Sequence, residues 1–128
     1  MALGATAPVD GGGGIYIFGG TVTIEDSELT NNKAIVGGAS GGAIFNFMGT
    51  LNATEVLISE NISNRAGGGI EAATGSTTNL NAVTLSSNNT GVLPDATASS
   101  PGNGGGLHIT GNGSATITNS TVSNNMAA

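Results

Sequence analysis

The chain has 128 residues, enough for one domain, and a formal net charge of −6. Charged residues make up only 8% of it, against roughly 25% in ordinary globular domains, so its surface must consist largely of hydroxyls and amides. Lys33 and Arg65 are the only strong cations and cannot neutralise a phosphate backbone, which excludes nucleic acid as a partner.

The absence of cysteine excludes disulfides and thiolate metal sites. No apolar run approaches the roughly 18 residues needed to span a bilayer as a helix, so no transmembrane segment is expected. Low charge with 23 glycines is a composition that often stays disordered. Apolar residues recurring at fixed positions argue otherwise here.

In chain order, Met1 to Gly11 reads as an irregular lead-in, without the basic and apolar regions of a signal peptide. The first organised stretch, about residues 11–32, runs from Gly12-Gly13-Gly14-Ile15 through Thr21-Val22-Thr23-Ile24 to Leu29-Thr30-Asn31-Asn32. The pattern returns over residues 41–61, 67–89 and 104–125, ending each time on asparagine: Asn61, Asn88 and Asn125. The intervals between these terminal asparagines are 29, 27 and 37 residues. The segments between copies, 33–40, 62–66 and 90–103, read as loops, and all fall at the same phase of the repeat. Helical repeats share this period, but the copies are rich in Thr, Val, Ile, Asn and Gly and alternate with period two, which is strand chemistry.

Aligning the copies turns the alternation into columns. Ile15, Ile44, Ile70 and Leu107 form one apolar column; Val22, Leu51, Thr78 and Ala115 a second; Ile24, Ala53, Leu80 and Ile117 a third; Leu29, Ile58, Leu85 and Val122 a fourth. Polar columns lie between them: Thr21, Thr50, Thr77 and Ser114; then Thr23, Asn52, Asn79 and Thr116. Alternation within a copy and matching types between copies predict a right-handed parallel β-helix of about four coils, each with three short strands. The expected strands of coil one are Ile15–Ile17, Thr21–Ile24 and Ser27–Leu29. Asn32, Asn61, Asn88 and Asn125 are expected to form an amide hydrogen-bond ladder inside the turn, although asparagine is also a favourable turn residue in its own right.

A stack of coils with no capping segment exposes unpaired strand edges. Head-to-tail contact would set Val122 on Leu29, Ile117 on Ile24, Ala115 on Val22, Asn125 on Asn32 and Thr116 on Thr23, with no like charges opposed. The same compatibility is inherent in any window of a longer array. Self-association is therefore one expectation, and the loop edge is a second surface for adhesion.

Catalysis finds little support. The eight acids Asp10, Glu25, Asp26, Glu28, Glu55, Glu60, Glu71 and Asp95 scatter over different columns, whereas glycoside cleavage needs two carboxylates flanking one bond. Glu25, Asp26 and Glu28 form a local cluster and read as a solvated corner. His108 falls in an outward column with Tyr16, Phe45 and Glu71 and reads as a surface histidine. The glycine runs follow no strand-to-helix fingerprint. No catalytic residue, metal site or cofactor is expected. Five Asn-x-Ser/Thr sequences occur, as chance alone produces in such a composition. The outward Thr21, Thr23, Thr50, Asn52, Thr77, Asn79, Ser114 and Thr116 offer an alternative function, since flat hydroxyl arrays on β-solenoids engage ice or carbohydrate.

Gly-Gly-Ala-Ile at 41–44, its variants at 12–15, 67–70 and 104–107, and the apolar-x-x-Asn endings resemble the paired short motifs of chlamydial polymorphic outer-membrane proteins. They are also similar to β-helix repeats of autotransporter passengers and other bacterial and archaeal surface proteins. The resemblance covers roughly residues 11–125. It departs from the family where the usual Phe of the second motif is Leu29, Ile58, Leu85 and Val122. It implies an extracellular or cell-surface passenger used for adhesion or self-association, with itself or surface glycans as partners.

Overall fold

The computed structural model describes residues 11–91 and 102–128. The expected lead-in and most of the longest insertion, with Asp10 and Asp95, lie outside these residues. Among the described residues there is no helix, and every paired strand is parallel to its neighbour.

Each copy contributes to three sheets in the same order. Copy one carries β1 (Ile15–Phe18), β2 (Thr21–Thr30) and β3 (Lys33–Ala34). Copy two carries β4 (Ile44–Phe47), β5 (Thr50–Ser59) and β6 (Ile62–Ser63). In copy three the long strand is divided, giving β7 (Ile70–Ala72), β8 (Thr77–Asn81), β9 (Thr84–Ser86) and β10 (Asn89–Thr90). Copy four repeats that division with β11 (Leu107–Ile109), β12 (Ser114–Thr118), β13 (Thr121–Ser123) and β14 (Met126–Ala127). The first sheet runs β1-β4-β7-β11 and the third β3-β6-β10-β14. In the second, β5 pairs β2 on one side and both β8 and β9 on the other, with β12 and β13 beyond them.

The strand registers coincide with the columns of the sequence. Ile15, Ile44, Ile70 and Leu107 are paired in succession, as are Ile24, Ala53, Leu80 and Ile117. This alignment stacks apolar side chains on their own kind and removes them from water together. Apart from Ile17 in copy one, the largest fully buried apolar side chains, among them Ile44, Leu51, Ile58, Ile70, Leu80 and Leu85, belong to the two middle copies. Each such side chain contributes roughly 1.5–3 kcal/mol by burial, so the middle copies hold most of the apolar stabilisation.

Two departures from the sequence reading have local causes. Thr21–Ile24 and Ser27–Leu29 are not separate in the first two copies. Asp26 and Glu55 adopt left-handed backbone, with φ of 45° and 55°, and turn the strand without breaking its ladder. The segments expected to be loops also begin in, or run on from, the two-residue strands of the third sheet. Asn31, Glu60, Ser87 and Asn124, with φ of 55–57°, fold the chain back immediately before those strands. Two residues are too few to display a period, so the third sheet left no alternation in the sequence.

The glycine run closes each copy. Gly12, Gly41, Gly67 and Gly104 take positive φ. The next column, Gly13, Gly42, Gly68 and Gly105, lies so close to the backbone of Lys33, Ile62, Asn89 and Met126, respectively, that a Cβ would collide with it. The start of a copy is thereby packed against its own end.

Candidate functional site

The asparagine column is a continuous hydrogen-bond ladder. Asn61 Oδ1 accepts from the Asn32 backbone N–H at 2.9 Å and from Asn32 Nδ2 at 3.0 Å. Asn88 Oδ1 accepts in the same way from Asn61 at 3.1 and 2.9 Å, and Asn125 Oδ1 from Asn88 at 2.9 Å twice. The remaining amide hydrogens of Asn61, Asn88 and Asn125 go to the carbonyls of Leu29, Ile58 and Leu85. The left-handed turn residue is the one before each ladder asparagine, so these four side chains serve the ladder and leave the turn to their neighbours. Gly14, Gly69 and Gly106 lie against the amides of Asn32, Asn88 and Asn125, respectively.

The Nδ2-to-carbonyl bonds run back to the preceding copy, whereas every bond from one ladder asparagine to another runs one way, from a donor in one copy to an acceptor in the next. The glycine turns follow the same rule. Gly13 donates to the Gly41 carbonyl, Gly42 to Gly67 and Gly68 to Gly104, while Gly14, Ala43 and Gly69 donate to Ala43, Gly69 and Gly106.

The residues expected at an end-to-end contact lie on the two outer edges of the stack. Val22, Ile24, Leu29 and Asn32 in copy one are partly buried, as are Ala115 and Asn125 in copy four. Ile117 is 45% exposed and Val122 54%, while Leu80 and Leu85, one copy up in the same columns, are 1% exposed. Ile109 and Met126 are exposed on the same edge of copy four. Apolar side chains thus stand in solvent along the first, second and third sheets of that copy, where among the described residues no further strand pairs.

The outward Thr21, Thr50, Thr77 and Ser114 are paired across the second sheet, and so are Thr23, Asn52, Asn79 and Thr116. A third outward column, Glu25, Thr54, Asn81 and Thr118, completes the face. Asn79 Nδ2 donates to Asn52 Oδ1 at 2.9 Å. A shallow depression of about 170 Å³ lies over Asn52, Asn79, Asn81 and Thr116.

The outward column of the first sheet is partly covered. Phe45 and Glu71 are buried, and the Tyr16 and Phe45 rings meet at 5.4 Å between centroids. His108 is no isolated surface histidine: its Nδ1 lies 2.9 Å from Glu71 Oε2, and Thr110 Oγ1 donates to Glu71 Oε1 at 2.8 Å. A carboxylate accepts, so Nδ1 is the donating nitrogen. The register of His108 on Glu71, separated by the same 37 residues as Asn88 and Asn125, was the sequence signal for this pair. Burial raises the Tyr16 pKa above its usual 10.0. Glu25, Asp26, Glu28, Glu55 and Glu60 are all exposed. Among the described residues no three His, Asp or Glu side chains converge to hold a metal ion.

Comparison with protein-family models, curated proteins and solved structures found no match.

Proposed function

We propose that the chain is a right-handed parallel β-helix with a structural, non-enzymatic role: a subunit that stacks end to end on further copies of itself. One observation carries this reading. Ile117 and Val122 stand exposed on one strand edge, although the same columns are apolar and buried through the middle of the molecule, at Ala53 and Leu80 and at Ile58 and Leu85. An edge of this kind is closed by another strand carrying the same column pattern, and copy one supplies that pattern. The low charge, the amide and hydroxyl surface and the motif resemblance support an extracellular or cell-surface setting, as a fibre, stalk or adhesin-like module.

Light scattering and negative-stain microscopy across a dilution series test the proposal. Unbranched assemblies that lengthen with concentration are expected, and Val122→Lys, which puts a charge into the apolar contact, abolishes them. A monomer at every concentration would refute self-association. A second reading rests on the outward face of the second sheet, whose columns are hydroxyl or amide at every position except Glu25. Such a face suits ice or glycan. Thermal hysteresis or retention on immobilised glycans, lost in a Thr23→Lys/Thr116→Lys variant, distinguishes it.

A further inference from the structure

The backbone hydrogen bonds that join the glycine turns of successive copies have a direction, and that direction leaves the two outer edges of the turn chemically unlike. In the glycine turns and in the amide-to-amide bonds of the asparagine column, donors belong to the earlier copy and acceptors to the later one, while Asn61, Asn88 and Asn125 Nδ2 also donate back to the Leu29, Ile58 and Leu85 carbonyls. At the copy-four edge, Gly105 N–H, Gly106 N–H, Asn125 N–H and one Asn125 amide hydrogen therefore have no acceptor among the described residues. At the copy-one edge, the Gly12 and Gly14 carbonyls and Asn32 Oδ1 have no donor among the described residues. In the glycine turn the first edge presents donors and the second presents acceptors.

We infer that the junction between two molecules is heterologous and registered by this region, with the copy-four turn of one molecule seated on the copy-one turn of the next. This inference rests on the self-association proposed above and adds its polarity and its contact residues. Asn125 donates to Asn32 Oδ1 of the neighbour, Gly105 N–H to its Gly12 carbonyl and Gly106 N–H to its Gly14 carbonyl. The inter-molecular step then repeats the step between copies inside the chain.

Superposing two copy-four glycine turns sets donors against donors, and superposing two copy-one glycine turns sets acceptors against acceptors. Unmatched buried groups of this kind are costly. Charge acts in the same sense. The exposed Glu25, Asp26 and Glu28 all belong to copy one, while the positions aligned with them in copy four are Thr118, Asn119 and Thr121. Two copy-one edges would bring like charges together, and the unlike pairing brings carboxylates to hydroxyls and an amide. A contact between unlike edges does not close on itself, so it propagates.

The chain's lack of cysteine makes the orientation directly measurable. In the inferred junction, Thr116 of one molecule lies in register with Thr23 of the next, about 4.8 Å away between Cα atoms, within cross-linking reach. Thr23→Cys and Thr116→Cys are made singly and together and treated with a short bis-maleimide. The double variant should give a ladder of covalent multimers. A mixture of the two single variants should give a dimer containing one of each and go no further, and each single variant alone should remain uncross-linked. Homodimers from either single variant, or assemblies seen by light scattering without the ladder, would overturn the polarity and leave self-association standing. Absence of assemblies altogether would overturn both. As a second check, Asn32→Ala removes an edge acceptor and leaves its own backbone bond to Asn61 in place. It should weaken association about tenfold or more, the equivalent of one or two hydrogen bonds.

Discussion

Single residues fail in this molecule according to what lies in the next copy. Gly42 lies against the Gly68 carbonyl and the Ile62 backbone, whereas Gly19 has nothing near its missing side chain. Gly42→Ala should therefore cost about 3 kcal/mol or more through overpacking, and Gly19→Ala only about 1 kcal/mol for its positive φ. Urea unfolding of the two variants measures the difference. Asn88 bonds in both directions along the ladder, and Asn32 in one. Asn88→Ala strands the Asn61 donors in a buried site and should cost at least about 2 kcal/mol more than Asn32→Ala. The single tyrosine gives a spectroscopic check. Its hydroxyl is enclosed without a hydrogen-bond partner among the described residues, and burial raises its pKa. The sign follows: stability linked to the neutral phenol is intact below pH 10 and is lost as pH rises through the higher folded value. Phenolate absorbance should appear at higher pH in the native protein than in urea.

At the scale of elements, the turns decide more than the strands. Four non-glycine residues bend the second sheet with positive φ: Asp26, Glu55, Ala82 and Asn119. Ala82 is exposed and tolerates this backbone less well than asparagine does. Ala82→Asn should raise stability by about 0.5 kcal/mol, within the cost of a left-handed alanine, read as a higher urea midpoint. The strand columns were legible because period two and copy-to-copy identity reinforce each other, as in Ile44 above Ile70. The third sheet and the bends were not. Asn31, Glu60, Ser87 and Asn124 share a backbone conformation without sharing a residue type. Glu71 was misread for a related reason: alternation places it on the outer side of its strand, and alternation cannot say whether that side is covered. Its partners His108 and Thr110 satisfy both of its oxygens.

For the whole molecule, stability and assembly separate along the stack. Ile58 and Leu80 lie in the middle copies, and replacing either by alanine should cost about 2–5 kcal/mol. Ile117 and Val122 are half in solvent, so alanine there should barely change monomer stability while weakening assembly. The inferred junction contains amides, hydroxyls, glycine backbone and apolar side chains, so added salt should leave assembly nearly unchanged rather than dissolve it. The central claim is that a second molecule closes the copy-four edge. Residue-resolved amide hydrogen exchange across a concentration series tests it most directly. Protection at Gly105, Gly106 and Asn125 should rise with concentration toward that of Gly68, Gly69 and Asn88, which already have partners inside the chain. Fast exchange at Gly105, Gly106 and Asn125 at every concentration, with Gly68, Gly69 and Asn88 protected throughout, would contradict it.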